Sequence, residues 1–175
     1  MKSTRRFFLA ASGSAALAGL FGALPGPRGQ AQAAPGPFAV THSDTEWRAL
    51  LTPAQYQVLR HADTERPYSS PLDHEHRNGT YACAGCAQPL FASDAKFDSG
   101  TGWPSFWQPL PHAIGTTRDR SFGMVRTAVH CGRCGGHLGH VFDDGPRPTG
   151  LRYCMNGVAM TFAPTSPSAT PGSPS

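Results

Sequence analysis

The segment His137-Leu138-Gly139-His140-Val141-Phe142-Asp143-Asp144-Gly145-Pro146 is followed three residues later by Gly150-Leu151-Arg152-Tyr153-Cys154-Met155-Asn156-Gly157. Two short apolar runs, His137–Phe142 and Leu151–Met155, flank a turn rich in Asp, Gly and Pro. That pattern predicts strands rather than helix. The same alternation runs from Gly79 onward and predicts further strands at Thr80–Cys83, Pro89–Phe91, Ser105–Gln108, Ser121–Arg126, Ala128–Cys131 and Ala159–Phe162. The expected fold is mainly β, a small antiparallel domain. Ahead of it, Glu46–Leu50 and Pro53–His61 predict two short helices, with Thr52 as N-cap and Pro53 in the first turn of the second. Leu50, Leu51, Tyr56, Val58 and Leu59 supply their apolar face. The stretch from Arg66 to Asn78 is polar and irregular.

Working outward, both ends read as non-globular. Residues 1–33 have a basic start (Lys2, Arg5, Arg6), an apolar stretch from Phe7 to Leu24 and the small-residue pattern Ala31-Gln32-Ala33. These are the three parts of an export signal. Thr4-Arg5-Arg6-Phe7-Phe8-Leu9 resembles the twin-arginine signal, which addresses folded cargo. The expected location is therefore exported, in the periplasm. The alternative, an uncleaved membrane anchor, is weakened by Gly13, Gly19, Gly22, Pro25 and Pro27. No later stretch approaches the roughly 20 apolar residues of a membrane span, so no membrane association is expected after cleavage. A linker at 34–43, one catalytic domain at 44–163 and a disordered tail at 164–175 complete the expected organisation.

The formal charge of +4 belongs to the leader. Four of the fifteen Lys and Arg lie in residues 1–33 with no acid, which leaves eleven bases against eleven acids. A nucleic-acid binder needs a basic footprint, so that class is disfavoured and no nucleic-acid partner is expected. With 20 Gly, 17 Pro and 15% charged residues, the rest suits a turn-rich β domain, expected to be a monomer.

Cys83-Ala84-Gly85-Cys86 and Cys131-Gly132-Arg133-Cys134 form two CxxC knuckles. Thiolates at this spacing reach one ion across a tight turn, for which Gly85 and Gly132 are suited. Two knuckles make a closed tetrahedral site, so a structural Zn2+ ion, one per chain, is expected. Closing so long a loop stabilises a small core. Two disulfides are the alternative in an oxidising compartment, and a redox role for either pair is a third.

The fifth cysteine, Cys154, is left over. A lone cysteine in an apolar strand is commonly an inert core residue. Arg152, two positions away on a strand, shares its face, and a neighbouring cation favours the nucleophilic thiolate. His137 and His140 are near enough to share one pocket and carry protons, although such a pair also occurs as structure or as half a metal site. Ser99-Gly100-Thr101-Gly102-Trp103-Pro104-Ser105-Phe106-Trp107 sets aromatic side chains among flexible residues, for packing or for an apolar binding wall.

Together these motifs are similar to those of the type B, R-epimer methionine sulfoxide reductases. CxGC, KFDSGTGWPSFW, HLGHVFDDGPRPTGLRYCMN and EWRALLTPAQYQVLRHADTERPYS carry the resemblance, which spans roughly Asp44 to Phe162. It implies a small domain of two antiparallel sheets with short N-terminal helices, stapled by zinc on Cys83, Cys86, Cys131 and Cys134. It implies Cys154 as the nucleophile, His137 and His140 as acid-base groups, and Asn156 and Arg152 as their support. It further implies Trp103 and Phe142 around the substrate methyl, and Asp144 orienting the histidines. The implied substrate is oxidised methionine in proteins or peptides, and the implied activity is repair.

The sequence departs from the family pattern twice. Ser99-Gly100-Thr101 stands where many relatives place a resolving cysteine, so a thioredoxin-like protein or a small thiol is the expected reductant. Gly157, directly after Asn156, replaces a hydroxyl residue, a change expected to be tolerated. Two rival classes remain on sequence: a non-enzymatic zinc module, which leaves Cys154 and both histidines without a role, and a CxxC thiol-disulfide oxidoreductase, which predicts no tight zinc.

Overall fold

In the computed structural model, which describes residues 38–165, the chain starts with two short helices whose ends are written in the sequence. Helix α1 spans Asp44–Leu50 and helix α2 spans Pro53–His61. Ser43 with Glu46, and Thr52 with Gln55, form reciprocal capping boxes at the two N-termini, each satisfying backbone N–H groups that the helix itself leaves open. Pro53 occupies the first turn of α2, and Ala62 closes it in the left-handed conformation at φ 55°. Trp47, Leu51, Tyr56, Val58 and Leu59 are buried, and the Arg60 guanidinium lies 4.7 Å over the Trp47 ring. Leu50, expected on the apolar face, is exposed instead.

Nine strands follow: β1 (Gly79–Cys83), β2 (Pro89–Ala92), β3 (Lys96–Phe97), β4 (Ser105–Phe106), β5 (Ile114–Asp119), β6 (Arg126–Cys131), β7 (His137–Phe142), β8 (Arg152–Met155) and β9 (Met160–Pro164). They form two antiparallel sheets, ordered β2-β1-β9 and β3-β4-β8-β7-β6-β5. Aromatic rings join the sheets: Phe91 stacks on Phe106 at 4.3 Å, and Tyr81 meets Phe106 edge-on at 4.9 Å. With Leu90, Val129, Leu138 and Met155, none of which is exposed at all, they make one continuous core. Among the described residues, no helix is long and apolar enough to cross a membrane.

Three local expectations are corrected. Ser121–Arg126 is not a strand: Ser121–Gly123 is a single 3-10 turn, with Phe122 left-handed at φ 54°, linking β5 to β6. Asp119 Oδ1 accepts from the Ser121 N–H at 2.8 Å and fixes that turn. Strand β5 has no counterpart among the expected strands. Its residues are at most half-buried, so this edge strand lacks the alternation that marks a buried face. Pro164 and Thr165, placed in the tail on sequence, belong to the sheet edge, where Thr165 N–H donates to Asn78 O at 2.9 Å. The expected export signal (1–33), residues 34–37 of the linker and residues 166–175 of the tail lie outside the described residues.

Candidate active site and metal centre

The two knuckles are built alike. In the first, Cys83 N–H donates to Gln88 O at 2.9 Å and Ala87 N–H donates to Cys83 O at 2.8 Å. In the second, Cys131 N–H donates to Gly136 O at 2.8 Å and Gly135 N–H donates to Cys131 O at 2.9 Å. The turns reverse through positive φ at Ala87 (56°) and Gly135 (69°), not at Gly85 and Gly132 as the spacing suggested. One knuckle extends from β1 and the other from β6, so they bring the two sheets together.

All four sulfurs lie within 4.8 Å of one another. Cys83 Sγ is 3.7 Å from Cys134 Sγ, and Cys86 Sγ is 3.5 Å from Cys131 Sγ. These separations approach the edge of about 3.8 Å that follows from a tetrahedron with metal–sulfur bonds of about 2.3 Å. They far exceed the roughly 2.05 Å of a disulfide. Both of these contacts cross between knuckles, whereas a redox-active CxxC bridge closes within one. Four thiolates packed this tightly repel one another, which a metal cation relieves. The donor set therefore fits one metal ion.

Cys154 lies mid-strand near the centre of the large sheet. Across β4, β8 and β7, Ser105 pairs with Cys154 and Cys154 with His140; Phe142 pairs with Arg152. Directly opposed residues share a face, so the thiol, the imidazole, the Phe142 ring and the guanidinium all rise from one side. Cys154, His140 and Phe142 line a hollow of about 130 Å3 with Trp103, Arg126, Thr64 and Asn156. Two larger surface hollows, of about 700 and 660 Å3, contain no cysteine; the second touches His137 and His140.

The charges on this face are arranged in pairs. Arg152 donates from Nε and Nη2 to the two Asp144 oxygens at 2.8 and 2.7 Å, and its guanidinium covers the Phe142 ring at 4.4 Å. Asp144, and less strongly Cys154, hold the Arg152 guanidinium above its ordinary pKa. His140 Nε2 bonds Asp119 Oδ2 at 2.8 Å, and Arg126 Nη2 donates to the same oxygen at 2.7 Å. The Ser121 N–H and hydroxyl, then His140, keep the Asp119 carboxyl well below the usual carboxylate range. His137 stands 5.4 Å from His140, ring to ring. Burial lowers its pKa to about 4, so it is neutral near pH 7, and its buried Nε2 has no hydrogen-bond partner among the described residues.

A single acidic residue ties the surrounding loops together. Glu65 accepts from Gly157 N–H at 2.5 Å and Val158 N–H at 2.9 Å. Its own N–H donates to Asn156 Oδ1 at 3.0 Å, and its carbonyl accepts from Trp103 Nε1 at 3.2 Å. Asn156 is buried and donates from Nδ2 to Leu138 O at 3.0 Å. Burial raises the Glu65 pKa despite these bonds.

The SelR domain family matches residues 51–164. The chain belongs to this family. It is 56% identical over 126 residues to the peptide methionine sulfoxide reductase MsrB of Agrobacterium fabrum, covering 71% of this chain and 93% of that protein. It is 58% identical over 126 residues to the protein of the same name from Bradyrhizobium diazoefficiens, covering 71% and 91%. It is 53% identical over 125 residues to that from Methanosarcina barkeri, covering 71% and 88%.

For a SelR-domain protein, the residues expected from sequence are largely brought together: Cys154, His140, Asn156, Trp103 and Phe142 surround one hollow, with Arg152 beside it. His137 does not line it; with His140 it borders the hollow of about 660 Å3 instead. Asp144 does not orient the histidines, contrary to the expectation; its carboxylate is committed to Arg152. The carboxylate that holds His140 is Asp119. Asp119, Arg126 and Glu65 are absent from the sequence-based set. Asp119 and Arg126 flank a turn misread as strand, and Glu65 lies in a polar loop that only the tertiary fold carries to the site.

Gly157 also gains an explanation. A Cβ there would collide with Ser70 Oγ, whose buried side chain fills the space.

Proposed function

We propose that this protein reduces methionine R-sulfoxide in oxidised proteins and peptides to methionine, with Cys154 as the attacking sulfur. The supporting observation is the common face of β7 and β8, where Cys154 and His140 oppose each other beside Trp103 and Phe142. The two aromatic rings hold the methyl group, and Arg152 lies beside Cys154 on the same face of the strand. The thiolate attacks the sulfoxide sulfur while His140 gives a proton to the oxygen, a contribution of roughly 10²–10⁴-fold. With Nε2 committed to Asp119, Nδ1 is the nitrogen left to exchange that proton. His140 rather than His137 is the acid, because only His140 lines the Cys154 hollow. The protonated oxygen then passes from the substrate sulfur to Cys154 as the newly formed sulfur–sulfur bond breaks, so the thioether leaves as methionine and Cys154 becomes a sulfenic acid.

The other four cysteines are the knuckle residues, so an external thiol must attack the sulfenic acid. A thioredoxin-like protein or a small thiol fills that role. The ion on the knuckles is zinc; it is structural and joins the two sheets. The protein is exported to the periplasm through the twin-arginine-like leader, folded and metallated beforehand, and acts there as a monomer.

Steady-state turnover of R- and S-sulfoxide peptides, with metal content measured on the same sample, tests this reading. Turnover of the R form alone, lost in Cys154→Ser at undiminished zinc content, is expected. Equal use of both epimers, or an active Cys154→Ser protein, would overturn it.

A further inference from the structure

Three hydroxyls lead from the core to the Cys154 sulfur. Ser105, fully buried on β4, sits directly across from Cys154. Its Oγ is 3.1 Å from Trp103 O and 2.7 Å from Ser99 Oγ. Ser99 Oγ is 2.8 Å from Thr101 Oγ1, and Thr101 Oγ1 is 3.7 Å from Cys154 Sγ, within reach of sulfur's larger radius.

Each hydroxyl has one hydrogen to give, so the chain has two orderly arrangements. With a thiol, the hydrogens run outward from Cys154: S–H to Thr101, Thr101 to Ser99, Ser99 to Ser105, Ser105 to the Trp103 carbonyl. With a thiolate, Thr101 O–H donates to sulfur, Ser99 to Thr101 and Ser105 to Ser99, so the Ser105 hydrogen leaves the Trp103 carbonyl. The carbonyl at the far end cannot take up a proton, so the chain carries none away. It only reorients, each oxygen keeping its own hydrogen.

We infer that Ser105, Ser99 and Thr101 form a reversible hydroxyl chain that donates a hydrogen bond to the ionised Cys154 sulfur. This rests on Cys154 being the nucleophile. Thr101 is the group that touches the sulfur; Ser99 and Ser105 are positioning residues. The chain completes an environment in which Arg152, paired with Asp144, faces the sulfur from its own strand. His140 faces it from β7, and Arg126, with Asp119, from β6 and β5. The β3–β4 connection adds only these hydroxyls and Asp98, whose carboxylate is turned to the Gly100 N–H. Thr101 thereby gives a use to the position where many relatives place a second thiol.

The test is the rate of Cys154 alkylation by iodoacetamide across pH, followed by mass spectrometry on the full-length metallated protein. Thr101→Val replaces the hydroxyl with a methyl of similar shape. Losing one charge-assisted donor should slow alkylation at pH 7 on the order of tenfold and move the profile to higher pH. Thr101→Ser should restore both, and Ser99→Ala should fall between.

A Thr101→Val profile that superimposes on the parent would overturn the inference. So would equal slowing in Thr101→Val and Thr101→Ser, which would mark a loop effect rather than a hydrogen bond. An unchanged Ser99→Ala would reject the chain beyond Thr101. Because alkylation does not depend on turnover, its outcome is distinct from failure of the nucleophile assignment, which Cys154→Ser activity reports.

Discussion

Replacing Glu65 with Ala probes how the loops are held around the site. The substitution removes both acceptors of the Gly157 and Val158 N–H groups. Leaving a buried donor unsatisfied costs about 1–3 kcal/mol. Glu65 is only half-buried, so water can reach part of the gap, and the low end of that range applies to each donor. The expected loss is about 2 kcal/mol, or roughly 8 °C in Tm for a domain of this size. Burial raises the Glu65 pKa, so between the unfolded and folded values the folded state binds more protons. Stability from this group therefore rises as pH falls through that window. The gap between parent and variant should not narrow from pH 7 to pH 5, as it would for a depressed carboxylate in an ion pair. Trp103 and Asn156 both hang on the Glu65 main chain, so kcat/KM should fall about tenfold, in line with the sensitivity of catalysis to small misplacements. Thermal melts at the two pH values, with turnover on the same samples, measure all of this. A variant melting within about 1 °C of the parent would have lost only a few tenths of a kcal/mol, and that result would refute the reasoning.

Three further outcomes are expected. Gly157→Ser should destabilise by about 1–3 kcal/mol through overpacking against Ser70, and Ser70→Gly in the same chain should recover most of it; thermal melts decide. Asp119→Asn should lower kcat on the order of ten- to a hundredfold with little change in KM, because it loosens the imidazole rather than the aromatic wall; steady-state kinetics separate the two. His137 has its folded pKa lowered to about 4, so between about 6.5 and that value the unfolded chain binds the proton first. Stability should accordingly decline as pH falls through this interval, and should do so less in His137→Gln, as melts across that pH range would show.

The elements legible in the sequence are those whose local chemistry and tertiary role agree. Helix α2 is readable end to end because Thr52 and Pro53 mark its start, and β7 because His137–Phe142 stands between Gly-rich turns. The knuckles are readable as a metal set because four cysteines at fixed spacing have few alternatives. Strand β5 is not, since Thr116, Thr117 and Arg118 are exposed edge residues held by pairing with β6 rather than by burial. The family resemblance implies that Asp144 serves the histidines, whereas the hairpin turn places it on Arg152. Glu65 lies about 90 residues from the N–H groups it binds, and nothing in its local sequence announces them.

A single turnover without reductant tests the central chemistry most directly. The metallated protein would be mixed with excess R-sulfoxide peptide and a carbon nucleophile that traps sulfenic acids, then digested for mass spectrometry. One methionine per chain, with the adduct on Cys154 and the four knuckle thiols unmodified, is the predicted result. Methionine formed while Cys154 stays unmodified, or an adduct found on a knuckle cysteine instead, would contradict it.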